Sequence, residues 1–177
     1  MEFLRLTWND IEDMCDRIAE EVKKREFHID VIVAVSRGGL IPARILSDRL
    51  EVRLITSISI VFYDDIGKRL EYPRLVQGIS NERLVKDKNI LLCDDIVDTG
   101  ESLEVAINHL KELKPKNILS TSLLVKPHTK LYPAIFEHET ESWVIFPWEK
   151  KETIREIGDK ATLKELGYTE DEISKYQ

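Results

Sequence analysis

The chain has 177 residues, a formal net charge of −7, 42% hydrophobic residues and 33% charged residues. These values are typical of one globular domain with a sizeable core, and the acidic balance excludes a general electrostatic footprint for nucleic acid. No apolar run approaches the roughly 18 residues of a membrane span and no basic-then-apolar leader occurs, so we expect a cytoplasmic protein without nucleic-acid or membrane partners.

Hydrophobic patterning predicts strands that alternate with helices along the chain. The run 31–35, VIVAV, is continuous and β-branched, which suits a strand buried on both faces of a parallel sheet. Thr7 and Asp10 are spaced to cap the first helix, whereas the polar stretch 63–80 lacks sustained periodicity and is predicted to be a long loop. This alternation indicates an α/β fold with a central, mainly parallel β-sheet flanked by helices. The predicted helices cover residues 7–26, 40–50, 102–113 and most of 150–177, and the predicted strands cover 31–35, 52–63, 89–94, 117–125 and 143–146.

Three carboxylates follow the apolar strand pattern at 89–94. Asp94, Asp95 and Asp98 belong to the stretch ILLCDDIVDTGESL, where turn formation alone would account for only one or two of them. Adjacent strand residues point to opposite faces, so Asp94 and Asp95 should have different roles. Either carboxylate is suited to ribose hydroxyls or to the waters of a Mg²⁺ ion, which prefers oxygen ligands.

The residues after these carboxylates are suited to a phosphate. Gly100 permits backbone conformations closed to other residues, and Thr99 and Ser102 offer hydroxyls near the start of the following helix. Amides at a helix N-terminus, together with such hydroxyls, form an anion site. Neither a P-loop nor a GxGxxG fingerprint occurs, which argues against a P-loop nucleotide or a dinucleotide.

Two further motifs are predicted to lie at the same edge of the sheet. SRGG follows the strand at 31–35, and VKPHT ends the strand at 117–125. Ligands of open α/β sheets bind at the carboxyl ends of the strands, so the three motifs should meet. Each motif alone is compatible with an ordinary tight turn, but together they indicate a site for a sugar phosphate beside a hydrated metal.

All three motifs resemble those of one enzyme family. ILLCDDIVDTGESL resembles the phosphoribosyl pyrophosphate motif of the type I phosphoribosyltransferases, and AVSRGGLIPARIL resembles their pyrophosphate-binding loop and helix. The stretch VKPHTKLYPAIFEHETESWVIFPWEK is similar to the bacterial xanthine-guanine phosphoribosyltransferases. The resemblance runs from about residue 30 to 148, so we expect a phosphoribosyltransferase domain over 1–150 and a C-terminal helical extension over 151–177.

The resemblance implies a purine phosphoribosyltransferase of purine salvage. Such an enzyme transfers 5-phosphoribosyl from phosphoribosyl pyrophosphate to a purine base, releases pyrophosphate and uses Mg²⁺. Asp98 would act as general base, and Arg37 and Gly38 would bind pyrophosphate beside a cis peptide bond at Ser36–Arg37. Asp94 and Asp95 would serve the ribose and the metal, and the 5-phosphate cradle would comprise Asp98, Thr99, Gly100, Glu101 and Ser102.

The same resemblance implies a purine pocket within about 126–148. Lys126 would donate to an oxygen at C6, Trp143 would stack on the ring, and Val144 would contribute backbone contacts. A lysine donor favours hypoxanthine, guanine or xanthine over adenine. Ile145 and Phe146 stand where the bacterial enzymes have more polar residues, so the resemblance does not extend to the 2-position of the purine. An adenine phosphoribosyltransferase remains an alternative.

The loop predicted at 63–80 occupies the place of the family's flexible hood. Closure of such a loop excludes water from a cationic transition state. Lys68 and Arg69 are expected to reach the pyrophosphate of the same or a neighbouring subunit in a homodimer or homotetramer.

Two other classes of protein share some of these features. A regulator that senses phosphoribosyl pyrophosphate without catalysis would keep the same binding motifs, and turnover of a purine would distinguish it from an enzyme. A phosphoacceptor domain of the flavodoxin-like kind would explain the acidic cluster but neither SRGG nor TGES.

Overall fold

The computed structural model of the chain describes residues 2–63 and 69–177. The chain forms two compact units: a larger unit, Glu12–Thr140, and a smaller unit, which joins the chain up to Ile11 with Glu141–Gln177. In chain order the elements are β1 (Phe3–Arg5), α1 (Trp8–Lys24), β2 (Val31–Ser36), α2 (Leu40–Arg49), β3 (Ile55–Tyr63), β4 (Arg69–Gln77), a 3-10 helix (Glu82–Leu84), β5 (Asn89–Val97), α3 (Glu101–Glu112), β6 (Asn117–Val125), β7 (Ile135–Glu139), β8 (Trp143–Ile145), α4 (Lys150–Ile157), α5 (Lys160–Glu165) and α6 (Glu170–Tyr176).

The larger unit is built on a six-stranded sheet with the strand order β4-β3-β2-β5-β6-β7. Neighbouring strands are parallel except β3 and β4, which are antiparallel. The central strands β2 and β5 pair Val31 with Ile90 and Ala34 with Cys93. The predicted fold class is therefore confirmed, and the segments that follow β2, β5 and β6 all leave the sheet at its carboxyl edge.

The core of this sheet forms because its central strands are apolar on both faces. Every residue from Val31 to Val35 is buried, as are Leu91, Leu92 and Cys93 of β5. On one face the strands pack against the apolar side of α3, which repeats at helical spacing. That cluster includes Val31, Val33, Val35, Ile58, Ile90, Leu92, Val97, Leu103, Ala106 and Leu110.

The prediction of a loop over residues 63–80 is wrong for residues 69–77, which form β4. This strand pairs antiparallel with β3, with register shifts between Ser59 and Ile60 and between Val61 and Tyr63. Because β4 is an edge strand, only one of its sides needs backbone partners, and Pro73 is tolerated there. The proline and the bulges disrupt the alternation that would have marked a strand.

Other boundaries differ from the predicted ones in ways that matter for the site. The strand expected over 89–94 continues to Val97, so Asp94 and Asp95 lie within β5, and Asp94 pairs with Ser122 of β6. The strand expected over 52–63 begins at Ile55. β1 and β7 were not predicted, because runs of three and five residues carry little periodic signal.

The smaller unit pairs β1 with β8 in parallel and adds the three helices α4, α5 and α6. The helices share a small apolar core, and Thr169 and Glu172 form the expected capping box at the start of α6. The guanidinium of Arg5 lies 4.3 Å from the ring centre of Tyr168. The core residues are Ile154, Leu163, Tyr168 and Ile173.

No helix among the described residues is both long enough and apolar enough to cross a bilayer.

Candidate active site

The loop after β2 packs directly against β5. The amide of Gly39 donates to the carbonyl of Val35 at 3.0 Å, and a Cβ on Gly39 would lie 2.5 Å from the carbonyl oxygen of Cys93. A Cβ on Gly38 would lie only 1.8 Å from Oδ2 of Asp95. Two glycines are therefore required where this loop crosses the acidic strand. The SRGG motif therefore lies in contact with the acidic segment of β5.

The peptide bond between Ser36 and Arg37 is cis, as the resemblance implied. Arg37 is exposed and Gly38 is half-buried. The loop thus places Arg37 at the carboxyl edge of the sheet, and a guanidinium is suited to pairing with phosphate oxygens.

Asp94 and Asp95 form a closely coupled pair of carboxyl groups. Asp95 is buried, and its amide donates to Oδ1 of Asp94 at 2.9 Å, while the amide of Ile96 donates to Oδ1 of Asp95 at 2.9 Å. Burial, and then the charge of Asp95, raises the pKa of Asp94 well above its usual range. Burial also raises the pKa of Asp95. Such a pair favours a positive partner, since a cation offsets both the desolvation and the repulsion.

The turn between β5 and α3 presents open backbone amides. Gly100 adopts a left-handed conformation, with φ of 87°, at the start of α3 and has no side chain to cap the helix. The amide of Glu101 makes only a long contact, 3.4 Å, with the hydroxyl of Thr99. Ser102 is half-buried in the first helical turn, and Asp98 is exposed. Amides and hydroxyls therefore surround a helix N-terminus in the arrangement expected for a phosphate cradle.

The loop after β6 is joined to this turn by three contacts. The amide of Lys126 donates to the carbonyl of Val97 at 2.9 Å, and the amide of Lys130 donates to the carbonyl of Thr99 at 3.1 Å. A Cβ on Gly100 would meet the amide nitrogen of Leu131 at 2.9 Å. The turn and the loop therefore form one continuous surface.

A further contact between the turn and the loop is a side-chain pair that the sequence did not single out. Nε2 of His128 lies 2.7 Å from Oδ1 of Asp98. His128 belongs to the VKPHT motif, but its spacing from Asp98 carries no periodic signal that would have paired them. The pairing follows from the adjacency of β5 and β6 in the sheet.

The remaining predicted residues belong to different parts of the chain. Lys126 is half-buried in the larger unit, whereas Trp143, 51% exposed, and the half-buried Val144 belong to β8 of the smaller unit. Lys68 lies outside the described residues, and only the backbone of Arg69 is described, at the start of β4. The roles of these five residues stay predictions.

A phosphoribosyl transferase domain model matches residues 6–152, which is most of the chain and includes all three motifs. The chain belongs to the phosphoribosyltransferase family. Within this family, a xanthine-guanine phosphoribosyltransferase from Gluconobacter oxydans is 28% identical over 151 residues, covering 84% of this chain and 86% of the relative. A second, from Desulfotalea psychrophila, is 30% identical over 146 residues, covering 81% and 84%.

Solved structures agree with this assignment. A purine phosphoribosyltransferase from Pyrococcus horikoshii superimposes with a TM-score of 0.72 at 36% identity, covering 84% of this chain and 94% of that structure. The predicted family, fold class and phosphoribosyltransferase activity are confirmed. Membership of this family excludes the phosphoacceptor alternative.

The donor set of this phosphoribosyltransferase fits Mg²⁺ held chiefly by substrate and water. Among the described residues, no group of three or more His, Cys, Asp or Glu side chains could enclose a metal ion. Mg²⁺ commonly keeps several waters and binds through one or two carboxylates plus substrate phosphates. The adjacent carboxyl groups of Asp94 and Asp95 match that requirement.

Proposed function

We propose that the protein transfers 5-phosphoribosyl from phosphoribosyl pyrophosphate to a 6-oxopurine, giving the nucleoside monophosphate and pyrophosphate in purine salvage. The observation that carries the proposal is the meeting of the 36–39 loop, the 94–102 segment and the 126–131 loop at one edge of the sheet. The relatives that bear purine and xanthine-guanine names support the choice of base.

The reaction breaks the bond between C1 of the ribose and pyrophosphate and forms a bond from C1 to a purine nitrogen. Its transition state has oxocarbenium character, as in glycoside hydrolysis. Asp98 takes the proton that the base loses at N7, because an ionised carboxylate at the edge of the cradle serves as a general base. The proton thus leaves the purine as its N9 lone pair is used for bonding.

The remaining chain atoms hold the two ends of the phosphoribosyl donor. The amides of the first turn of α3, with the hydroxyls of Thr99 and Ser102, bind the 5-phosphate, supported by Gly100 and Glu101. Arg37 and the backbone at Gly38 bind pyrophosphate, since a guanidinium pairs with two phosphate oxygens at once. Lys68 and Arg69 are proposed to bind pyrophosphate as well.

Asp94 and Asp95 would hold the ribose hydroxyls and Mg²⁺. When bound, Mg²⁺ neutralises charge on the pyrophosphate as it leaves. The two carboxyl groups differ in exposure, Asp95 being the more deeply buried, so they are expected to divide these two tasks.

Lys126 selects the base in this proposal. An ammonium group donates only, so it pairs with a 6-oxo group and leaves a 6-amino group without an acceptor. Trp143 and Val144 would contribute stacking and backbone contacts. The cytoplasmic location, the assembly as homodimer or homotetramer, and the boundary at residue 150 stay predictions.

The test is direct turnover in the presence of Mg²⁺ and phosphoribosyl pyrophosphate. Hypoxanthine, guanine, xanthine, adenine, uracil and orotate are supplied one at a time, and any nucleotide is identified by chromatography and mass. We expect product with at least one 6-oxopurine and little with adenine. Product with adenine alone would overturn the base assignment, and binding of phosphoribosyl pyrophosphate without any product would indicate a sensor.

The role of Asp98 is tested on whichever base is accepted. Asp98→Asn keeps the size and polarity of the side chain but removes the base, so the single-turnover rate should fall by about 10²-fold. The melting temperature should stay close to that of the wild type, because the side chain is 65% exposed. An unchanged rate on every accepted base would remove Asp98 from the mechanism.

A further inference from the structure

His128 faces the proposed general base. Its Nε2 lies 2.7 Å from Oδ1 of Asp98, and the two side chains are 61% and 65% exposed. An ionised carboxylate only accepts hydrogen bonds, so Nε2 of His128 carries the proton and donates it. The other carboxylate oxygen of Asp98 is left to accept a proton from a substrate.

The backbone on both sides fixes this pair. Two backbone hydrogen bonds, here called rungs, flank the pair in sequence. The amide of Lys126 donates to the carbonyl of Val97 on one side, and the amide of Lys130 donates to the carbonyl of Thr99 on the other. His128 and Asp98 occupy the middle position between the two rungs. The loop that carries His128 is itself closed by a hydrogen bond from the amide of Thr129 to the carbonyl of Lys126, at 3.0 Å.

Exposed ion pairs contribute little to stability, so stability alone does not account for a pair held between two backbone rungs. Orientation of a catalytic group has a much larger effect, because small displacements of a reacting atom change rates strongly. We propose that His128 is a positioning residue that holds one oxygen of Asp98 and leaves the other to take the purine proton. This inference rests on the proposed role of Asp98 as general base.

His128 donates a hydrogen bond to one oxygen of Asp98 and so orients the carboxylate. The other charged groups on the segments that meet here are Lys126 and Lys130 in the same loop, Glu101 at the start of α3, and Glu139 of β7, which accepts from the hydroxyl of Tyr132 at 2.9 Å.

The experiment compares His128→Gln with His128→Ala in single-turnover assays at pH 8. Glutamine supplies an amide donor at a similar reach, whereas alanine supplies none. His128→Gln should stay within about 2-fold of the wild type, and His128→Ala should be about 3- to 10-fold slower, the scale of a lost hydrogen bond to an exposed charged group. Rescue by glutamine would distinguish a hydrogen bond to Asp98 from a merely structural role.

His28→Ala is the matched control, since His28 lies 3.5 Å from Asp30 at the amino end of β2, a histidine–aspartate pair away from the site. Its rate should equal that of the wild type. Melting temperatures establish that each variant is folded.

The same substitutions in the Asp98→Asn background separate this inference from the proposed function. If His128 acts through Asp98, His128→Ala should cause no further loss when Asp98 is already asparagine. A slow Asp98→Asn variant with a His128→Ala rate equal to the wild type would overturn the positioning role alone. A wild-type rate for Asp98→Asn would overturn the general-base role on which it rests, and a further loss in the double variant would show that His128 acts elsewhere.

Discussion

At the scale of single residues, Asp94 and Asp95 are the site residues whose charged forms burial disfavours most. Burial raises the pKa of both carboxyl groups. The folded chain therefore keeps protons that the unfolded chain releases, and stability falls as the pH rises above 3.8 toward the raised pKa of the pair. The free protein at neutral pH is therefore less stable than it is near pH 3.8, and a bound cation would offset this loss.

Asp94→Asn should therefore raise the melting temperature of the free protein at pH 7. Asparagine retains the oxygen that accepts from the amide of Asp95 but carries no charge. Each kcal/mol of relief corresponds to about 2–4 °C for a chain of this length. The gain should shrink toward pH 4, where the wild-type pair holds its protons, and scanning calorimetry across this range measures it. The catalytic efficiency with phosphoribosyl pyrophosphate should fall.

Asp10→Asn is the control of opposite sign. Hydrogen bonds from the hydroxyl and amide of Thr7 lower the pKa of Asp10, so its carboxylate stabilises the fold above pH 3.8. The substitution should lower the melting temperature at pH 7. A melting temperature that Asp94→Asn lowered by the same amount at pH 4 and pH 7 would contradict the prediction. It would show that the charge buried in the Asp94–Asp95 pair does not destabilise the free protein.

Among the elements, the turn from β5 to α3 and the loop after β6 depend on Gly100. Its φ of 87° is open to glycine, and a Cβ there would lie 2.9 Å from both the amide nitrogen of Leu131 and the hydroxyl of Thr129. Both the conformation and the close approach therefore require a hydrogen at this position.

Gly100→Ala should destabilise the protein by more than the roughly 1–2 kcal/mol of left-handed strain alone. Gly158→Ala provides the comparison, because φ is 64° there but the nearest obstructing atom is 3.9 Å away. Urea unfolding measures both variants. We expect Gly100→Ala to be the less stable and to bind phosphoribosyl pyrophosphate more weakly, with Gly158→Ala binding it normally. Equal losses of stability in the two variants would mean that the 126–131 loop moves away from the added methyl group without a measurable loss of stability.

The same elements show what the sequence could and could not predict. The 36–39 loop and the 94–102 segment are local motifs, so the sequence was enough to place them at the ends of their strands, and the resemblance to phosphoribosyltransferases implied the cis bond at Ser36–Arg37. β4 was mistaken for a loop because an edge strand with Pro73 and bulges has no clean alternation. The contact between His128 and Asp98 depends on the order of strands in the sheet, which no local pattern encodes.

Across the full chain, the tryptophans offer a probe of one unit. The sequence has three, Trp8, Trp143 and Trp148, and all belong to the smaller unit. Trp148 stacks on Phe146, with ring centres 4.6 Å apart, and lies 5.9 Å from Trp8. Tryptophan fluorescence therefore reports on the smaller unit, and its unfolding is followed separately from that of the six-stranded sheet.

Glu172→Gln should destabilise this unit at neutral pH. The ammonium of Lys150 lies 2.6 Å from Glu172 and, with the amide of Thr169, lowers the pKa of that carboxyl to about 2. The stabilisation is present above pH 4.5 and is lost as the pH falls toward 2, so the variant should differ from the wild type at pH 7 and match it near pH 2.

Urea unfolding followed by tryptophan fluorescence measures this difference, which should shrink in high salt because the pair is near the surface. Glu165→Gln, an exposed carboxylate in α5, is the control and should unfold like the wild type at both pH values. A constant difference between Glu172→Gln and the wild type at pH 2 and pH 7 would exclude the ion pair as its source.

The pairing of β1 with β8 has a consequence for how the protein is made. Phe3 lies opposite Trp143, and Arg5 lies over Tyr168, so the first strand finds its partners only in the last part of the chain. The larger unit, by contrast, ends at Thr140 and is continuous in sequence. The residues of the phosphate-binding edge all precede β8 in the chain, so they emerge from the ribosome and can begin to fold before β8 does. β1 emerges earlier still, yet it can form its pairing only after β8 has left the ribosome.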